Sequence, residues 1–207
     1  EPSITFKGKF FSFDDIEVLP KPVQQPHPPI YVGAVSPPSF LSAGENGFNI
    51  MCPAQVTPIP VLKEMLTSFR ERARKLPSRP RTSLLLPVFV AKTREQAEGI
   101  PRDSIMSYYE VTGRLMAQLF QRKGLPEQFK AYDQVGGVMK DLTYEKVLRE
   151  FAVLGEPAAV RDRLLYLRDE LKLDEVLAWM NIGGLDHEQV SASMKLMADE
   201  VLPHLNR

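Results

Sequence analysis

The sequence predicts an α/β fold built on a parallel sheet, and three observations predict it. Four short, almost wholly apolar runs stand at residues 29–35, 48–52, 83–91 and 176–180, as expected of strands covered on both faces. Each run is followed by a helix-start signal and an amphipathic stretch, an alternation that implies parallel strands joined by right-handed crossovers. The third observation is length. A closed barrel of eight such units typically takes about 250 residues. The 207 residues here are partly spent on an N-terminal arm (1–29) and a helical insertion (about 101–150), so eight units do not fit within the domain at 30–207.

Taken in order, residues 4–19 alternate aromatic and aliphatic side chains (Ile4, Phe6, Phe11, Phe13, Ile16, Val18) with polar ones. A period near 2 predicts a β-ribbon or extended arm. The prolines at 20, 22, 26, 28 and 29 remove donors and restrict their neighbours, which predicts an extended connector. The first buried strand (29–35) runs into Ser36-Pro37-Pro38-Ser39, with Ser36 as N-cap and Pro37 at the first helical position; Gly47 suits the stop. A second helix is expected over residues 59–75, with Leu62, Met65, Leu66, Phe69 and Ala73 inward. In the third strand Pro87 suits a bulge or an end. Thr93-Arg94-Glu95-Gln96 has the capping-box form. A long helix follows over 105–123, with short helices over 126–132 and 144–151. Gly155-Glu156-Pro157 opens a strong helix with Val160, Leu164, Leu167 and Leu171 inward, and Asp186, with Gln189 closing its box, opens the last.

Composition narrows the function. The apolar fraction of 43% and charged fraction of 25% are those of a globular protein, and 26 basic residues balance 26 acidic ones. Nothing electrostatic therefore favours nucleic acid or an anionic membrane. No apolar run reaches the ~20 residues of a membrane span, and no signal-peptide pattern is present. Cys52 is the single cysteine, and His27, His187 and His204 show no ligand spacing. The expectation is a cytoplasmic protein without a metal.

The first candidate site is the turn Gly33-Ala34-Val35-Ser36-Pro37-Pro38-Ser39. It follows a buried strand, on the side where α/β sheets bind ligands. A helix start offers N–H groups and the positive dipole end to an anion, and Ser36 and Ser39 add hydroxyls. Pro37 and Pro38, however, remove two donors. Local pattern alone favours the alternative, with Ser36 a cap and Ser39 a solvated first-turn residue. The second candidate is Trp179-Met180-Asn181-Ile182-Gly183-Gly184-Leu185-Asp186-His187, where Asn181 can reach a ligand and His187 reads as a surface residue. Cys52 reads as buried filler, and Tyr108 and Tyr109 as half-buried packing. Arg70-Glu71-Arg72 and Arg161-Asp162-Arg163 read as solvated helix faces. The stripe of Met106, Leu115, Met116, Leu119 and Phe120 reads as core or interface.

The order of several motifs then resembles a known family. They are Phe6-Lys7-Gly8-Lys9-Phe10-Phe11-Ser12-Phe13, the Pro-rich approach from Leu19 to Val32, Ala43-Gly44-Glu45-Asn46-Gly47, Leu154-Gly155-Glu156-Pro157, and Trp179-Met180-Asn181-Ile182-Gly183-Gly184-Leu185. In this order they resemble the luciferase-like, flavin-dependent monooxygenases. The resemblance implies a partial (β/α)8 TIM barrel, its fifth to eighth strand–helix units. It further implies that the turn at Ala34, Val35, Ser36 and Ser39 holds the phosphate of FMN, or of the deazaflavin F420. The electrons would come from reduced flavin or NAD(P)H, and a small organic substrate would be oxygenated with O2. It assigns no catalytic acid or base here. The implied partners are a complementary N-terminal half-barrel chain or further copies in a homo-oligomer. A truncated, noncatalytic flavin-binding, phosphate-binding or interaction domain is the alternative, and an F420-dependent oxidoreductase of the same family a third reading.

Overall fold

The computed structural model describes residues 3–25, 27–77, 79–120, 139 and 142–205. It divides into two compact units, Glu1–Ile30 and Tyr31–Arg207. In the first, β1 (Ile4–Lys7) and β2 (Ser12–Ile16) pair antiparallel with Phe6 opposite Phe13, and a bulge lies between Ile4 and Phe6. Gly8 closes the turn by donating its N–H to the Phe11 carbonyl at 2.9 Å. This is the ribbon expected of a period-2 pattern. The residues through Ile30 form no helix or strand among those described, as the prolines require.

The second unit is a parallel sheet whose largest core lies between one face and three of its helices. Its strands are β3 (Tyr31–Gly33), β4 (Asn49–Pro53), β5 (Thr82–Val90), β6 (Val153–Gly155) and β7 (Glu175–Trp179). They pair in the order β3-β4-β5-β6, with β7 also on β5, all parallel. The four expected strands are present, and the three-residue β6 is an addition too short for a sequence pattern to reveal. The helices are α1 (Pro37–Asn46), α2 (Ile59–Ala73), α3 (Arg94–Gly99), α4 (Arg102–Phe120), α5 (Tyr144–Lys146, continued by a π turn over Val147–Phe151), α6 (Pro157–Leu171) and α7 (His187–Leu196). The helix expected over residues 126–132 lies outside the described residues.

Apolar spacing explains which face the helices cover. Ile50, Cys52, Leu84, Leu86, Val88 and Val90 alternate along β4 and β5 and share one core with Phe40 of α1, Leu62, Leu66 and Phe69 of α2, and Leu164 and Leu167 of α6. The alternate residues Met51, Leu85, Leu177 and Trp179 stay partly exposed on the other face. That face is concave. The Tyr31 hydroxyl at the foot of β3 donates to Glu175 Oε2 of β7 at 3.0 Å. In a flat sheet these strands, three places apart, would be separated by about 14 Å. The sheet therefore curls like the wall of a barrel. Ser83 Oγ (2.6 Å) and Arg81 (2.8 Å) hold the same carboxylate, tying β3, β5 and β7 together across the floor.

Several local expectations change in the structure. Pro87 is neither a bulge nor a strand end: it sits inside β5 opposite Trp179, where the pairing passes from β7 to β6. A residue without a donor is tolerated at that seam. Arg70 is not a solvated side chain; its Nη2 donates to the Leu171 and Lys172 carbonyls at 2.5 and 3.0 Å, closing the C-terminus of α6. Tyr109 is fully buried rather than half-buried, because its hydroxyl has an acceptor in the Gln55 carbonyl at 2.7 Å. Leu115 is 59% exposed, so it is not core in this chain. Asp186 caps α7 through the Glu188 N–H at 2.8 Å, and Gln189 adds no return bond among the described residues.

Candidate functional site

The turn after β3 is built by a strand that leaves its ladder one residue at a time. Ala34 is fully buried, and its N–H still joins the sheet through the Met51 carbonyl at 3.0 Å. Val35 is half-buried. Ser36, 7% exposed, takes an extended conformation (φ −122°, ψ 148°) and starts α1. Its carbonyl accepts the N–H groups of Ser39 and Phe40 at 3.0 and 3.3 Å. Ser36 is thus the N-cap by backbone, as expected, but its hydroxyl caps no helical N–H. It lies instead 2.6 Å from the Ser39 hydroxyl.

This arrangement limits what an anion would meet. Pro37 and Pro38 have no N–H, and the Ser39 N–H is already spent on the Ser36 carbonyl. The helix start therefore offers little of the usual first-turn array. The remaining donors are the Val35 and Ser36 N–H groups, which have no backbone partner among the described residues. The serine pair adds to them: two hydroxyls carry two protons, and only one is used between them. These are the groups that the turn leaves able to donate at the carboxyl end of β3.

One buried polar residue was not singled out by the sequence. Gln55, just past β4, is 8% exposed, and its Oε1 is the single buried side-chain polar atom without a hydrogen-bond partner among the described residues. The available signal was a polar residue placed directly after an apolar strand.

The second candidate turn is structural at most of its positions. Gly183 has φ 60°, and a Cβ there would lie 2.9 Å from the Ser104 carbonyl oxygen, so the tight turn against α4 requires glycine. Gly184 has open space around it. The Trp179 indole donates to the Asn181 carbonyl at 2.8 Å, and its ring packs edge-on against Tyr108 at 4.8 Å. Asn181 and His187 are exposed, with His187 Nε2 3.5 Å from Ser191 Oγ. Cys52 is buried, and desolvation raises its thiol from 9.0 to about 12, which leaves it without nucleophilic character at neutral pH. The described residues hold no group of three or more His, Cys, Asp or Glu able to bind a metal ion, and no helix long and apolar enough to cross a membrane.

Comparison with known proteins gives this geometry a family. The chain is 27% identical over 213 residues to the flavin-dependent trigonelline monooxygenase, oxygenase component, of Acinetobacter baylyi; the match covers 95% of this chain and 54% of that protein. Among solved structures it resembles the monooxygenase RslO1 from Streptomyces bottropensis (TM-score 0.71, 22% identity, 99% of this chain and 56% of the other). It also resembles the oxygenating constituent of 3,6-diketocamphane monooxygenase from Pseudomonas putida, a complex with FMN (TM-score 0.69, 18% identity, 98% and 58%). An F420-dependent secondary alcohol dehydrogenase has the same fold (TM-score 0.67, 19% identity, 100% and 57%). These likenesses identify the curled sheet as part of a luciferase-like TIM barrel, and the chain spans about half the length of such relatives. The family model for luciferase-like monooxygenases matches residues 1–173, and on that match the chain belongs to this family.

Proposed function

We propose that this chain supplies the flavin phosphate-binding turn of a luciferase-like, flavin-dependent monooxygenase that oxygenates a small organic substrate with O2. The observation that supports the reading is that the Val35 and Ser36 N–H groups and the paired Ser36 and Ser39 hydroxyls are left to donate at the carboxyl end of β3, in a member of this family. Ala34 anchors the turn through its bond to Met51. When bound, reduced FMN supplies the chemistry with oxygen, drawing its electrons from a reductase or from NAD(P)H. The chain's own residues bind the phosphate, orient the cofactor and line one wall of the barrel. The described residues place no acid or base at the turn, so proton transfer falls to groups elsewhere in the assembly.

The fold also supports association. Among the described residues β7 pairs only with β5, and an apolar groove of about 530 Å³ lies between Leu164, Val176, Ala178, Met197, Leu202 and Leu205. The concave face carries half-exposed Met51, Leu85 and Leu177. Parallel sheets are ordinarily covered on both faces, so this one calls for a cover. We assign that role to a complementary N-terminal half-barrel chain, with homo-oligomerisation as the other arrangement.

The test is a visible spectrum and a native mass on the purified chain, followed by titration with FMN. Bound flavin in an assembly is expected, and Ser36→Ala should weaken binding by about 2 kcal/mol through a lost charge-assisted hydrogen bond. Unchanged affinity would remove Ser36 from the site. Binding of F420 in place of FMN would favour the second reading, an F420-dependent oxidoreductase, which the similarity to the alcohol dehydrogenase supports. A stable, colourless monomer that binds neither would make the chain a noncatalytic interaction domain.

A further inference from the structure

The unit at Glu1–Ile30 has no core of its own: none of its described residues is buried. Most of the large apolar side chains exposed among the described residues belong to it, with Phe6 at 53% and Phe11 at 69%. Exposed apolar residues scattered singly need no explanation, but these are gathered on one side of the β1–β2 ribbon. Ile4 pairs with Ile16 and Phe6 with Phe13, and residues directly opposite share a side. Ile4 and Phe6, two apart on β1, also share a side. On β2 the bulge makes the match. Phe13 and Ile16 are three apart and would face opposite ways in a regular strand; the extra residue, with Asp15 at φ 47°, turns both to the same side. Phe11 joins them, its ring stacked on Phe13 at 6.5 Å. The other side is polar and bonded within the ribbon: Thr5 Oγ1 accepts the Asp15 N–H at 3.0 Å, and the Ser3 hydroxyl donates to the Asp15 carboxylate.

The ribbon's charges are sorted along its length. Lys7 and Lys9 stand at the turn, while Asp14, Asp15 and Glu17 stand towards the open end. We propose that the apolar side of this ribbon is an interface between two copies of the chain, packed face to face about a two-fold axis. The turn of each ribbon then lies over the open end of the other. A two-fold contact sets one patch against itself, so the patch must be self-complementary. This one is: Phe6, Phe11 and Phe13 meet their own counterparts, and the flexible lysines of each turn reach the carboxylates of the opposite copy. The reverse orientation would bring like charges together, so charge selects the direction. The inference is independent of the flavin reading, since no residue of the ribbon belongs to the serine turn.

The experiment is sedimentation equilibrium on the full chain without cofactor, and on two charge-exchanged variants, Lys7→Glu/Lys9→Glu and Asp14→Lys/Glu17→Lys. Wild type is expected to dimerise with a dissociation constant in the micromolar range, as suits a small interface. Each variant carries one sign of charge at both ends and should dimerise about tenfold more weakly. An equimolar mixture of the two should recover wild-type association as mixed pairs, which also shows that both variants are folded. Added salt should weaken the wild-type dimer, and Phe6→Ser/Phe11→Ser should leave the chain monomeric. A wild type that stays monomeric across the micromolar range would overturn the proposal and leave the remainder of a barrel as the cover of this face. A dimer that neither the charge nor the phenylalanine variants weaken would overturn it too, by placing the contact elsewhere. So would a mixture that associates no better than either variant alone.

Discussion

Arg70 shows how much one side chain can depend on a partner distant in sequence. Helix α6 ends at Lys172 in the left-handed region, φ 51°, a conformation that costs a residue with a Cβ about 1–2 kcal/mol. The guanidinium of Arg70, on α2, offsets this by bonding the last carbonyls of α6, and its burial pulls its pKa below the ordinary value. Arg70→Met keeps most of the packing stem and loses both charged bonds. We expect a loss of about 2 kcal/mol, read as a lower urea midpoint with unchanged slope. A midpoint equal to wild type would show the bonds to be incidental. The Arg161 and Arg163 side chains are the contrast: one pairs with Asp162 at 2.7 Å and the other stacks on Tyr166 at 4.9 Å, both at the surface. Nothing in the run Arg70-Glu71-Arg72 distinguishes the first case from the second, because the acceptors lie 101 and 102 residues away.

Among the elements, α1 and α2 set the frame on which the serine turn rests. They touch at Gly44, where an added Cβ would lie 2.5 Å from the Phe69 carbonyl oxygen and 3.0 Å from Arg72 Cβ. A backbone oxygen cannot rotate away, so Gly44→Ala must push the helices apart. Overpacking of this kind costs about 3 kcal/mol at the upper end, and the better helix propensity of alanine returns about 1. A net destabilisation of about 2 kcal/mol is expected in thermal or urea melts, with weaker FMN binding because the turn is carried on α1. Neutral or higher stability in Gly44→Ala would show that the two helices yield easily. The glycine-bearing motif Ala43-Gly44-Glu45-Asn46-Gly47 was visible in the sequence, but a clash with Phe69 was not. Gly47 was the legible one, since its φ of 71° is what a helix stop demands.

At the scale of the molecule, burial of weakly acidic groups makes stability depend on alkaline pH. Desolvation raises Cys52 from 9.0 to about 12 and Tyr144 from 10.0 to about 12, and it also raises buried Tyr109. The folded state holds these groups neutral while the unfolded chain ionises them at their ordinary values. Their contribution is therefore complete below pH 9 and is lost as pH climbs from 9 towards 12. Urea midpoints at pH 8, 10 and 11 should fall in that order, and Cys52 should resist thiol reagents at pH 8 until the chain is unfolded. A midpoint independent of pH across that interval would contradict the burial of these groups.

The sequence alone determined the alternation of strands and helices, the caps at Thr93 and Asp186, the inward faces of α2 and α6, and the serine turn after β3, because each depends on neighbours within a few residues. Tertiary structure decided the rest: the curl that brings Tyr31 to Glu175, the seam that tolerates Pro87, the capping by Arg70, and the burial of Tyr109 against the Gln55 carbonyl. Those features arise between residues tens of positions apart, where sheet register and curvature fix which groups meet. A local pattern of apolar and polar residues carries no information about that meeting.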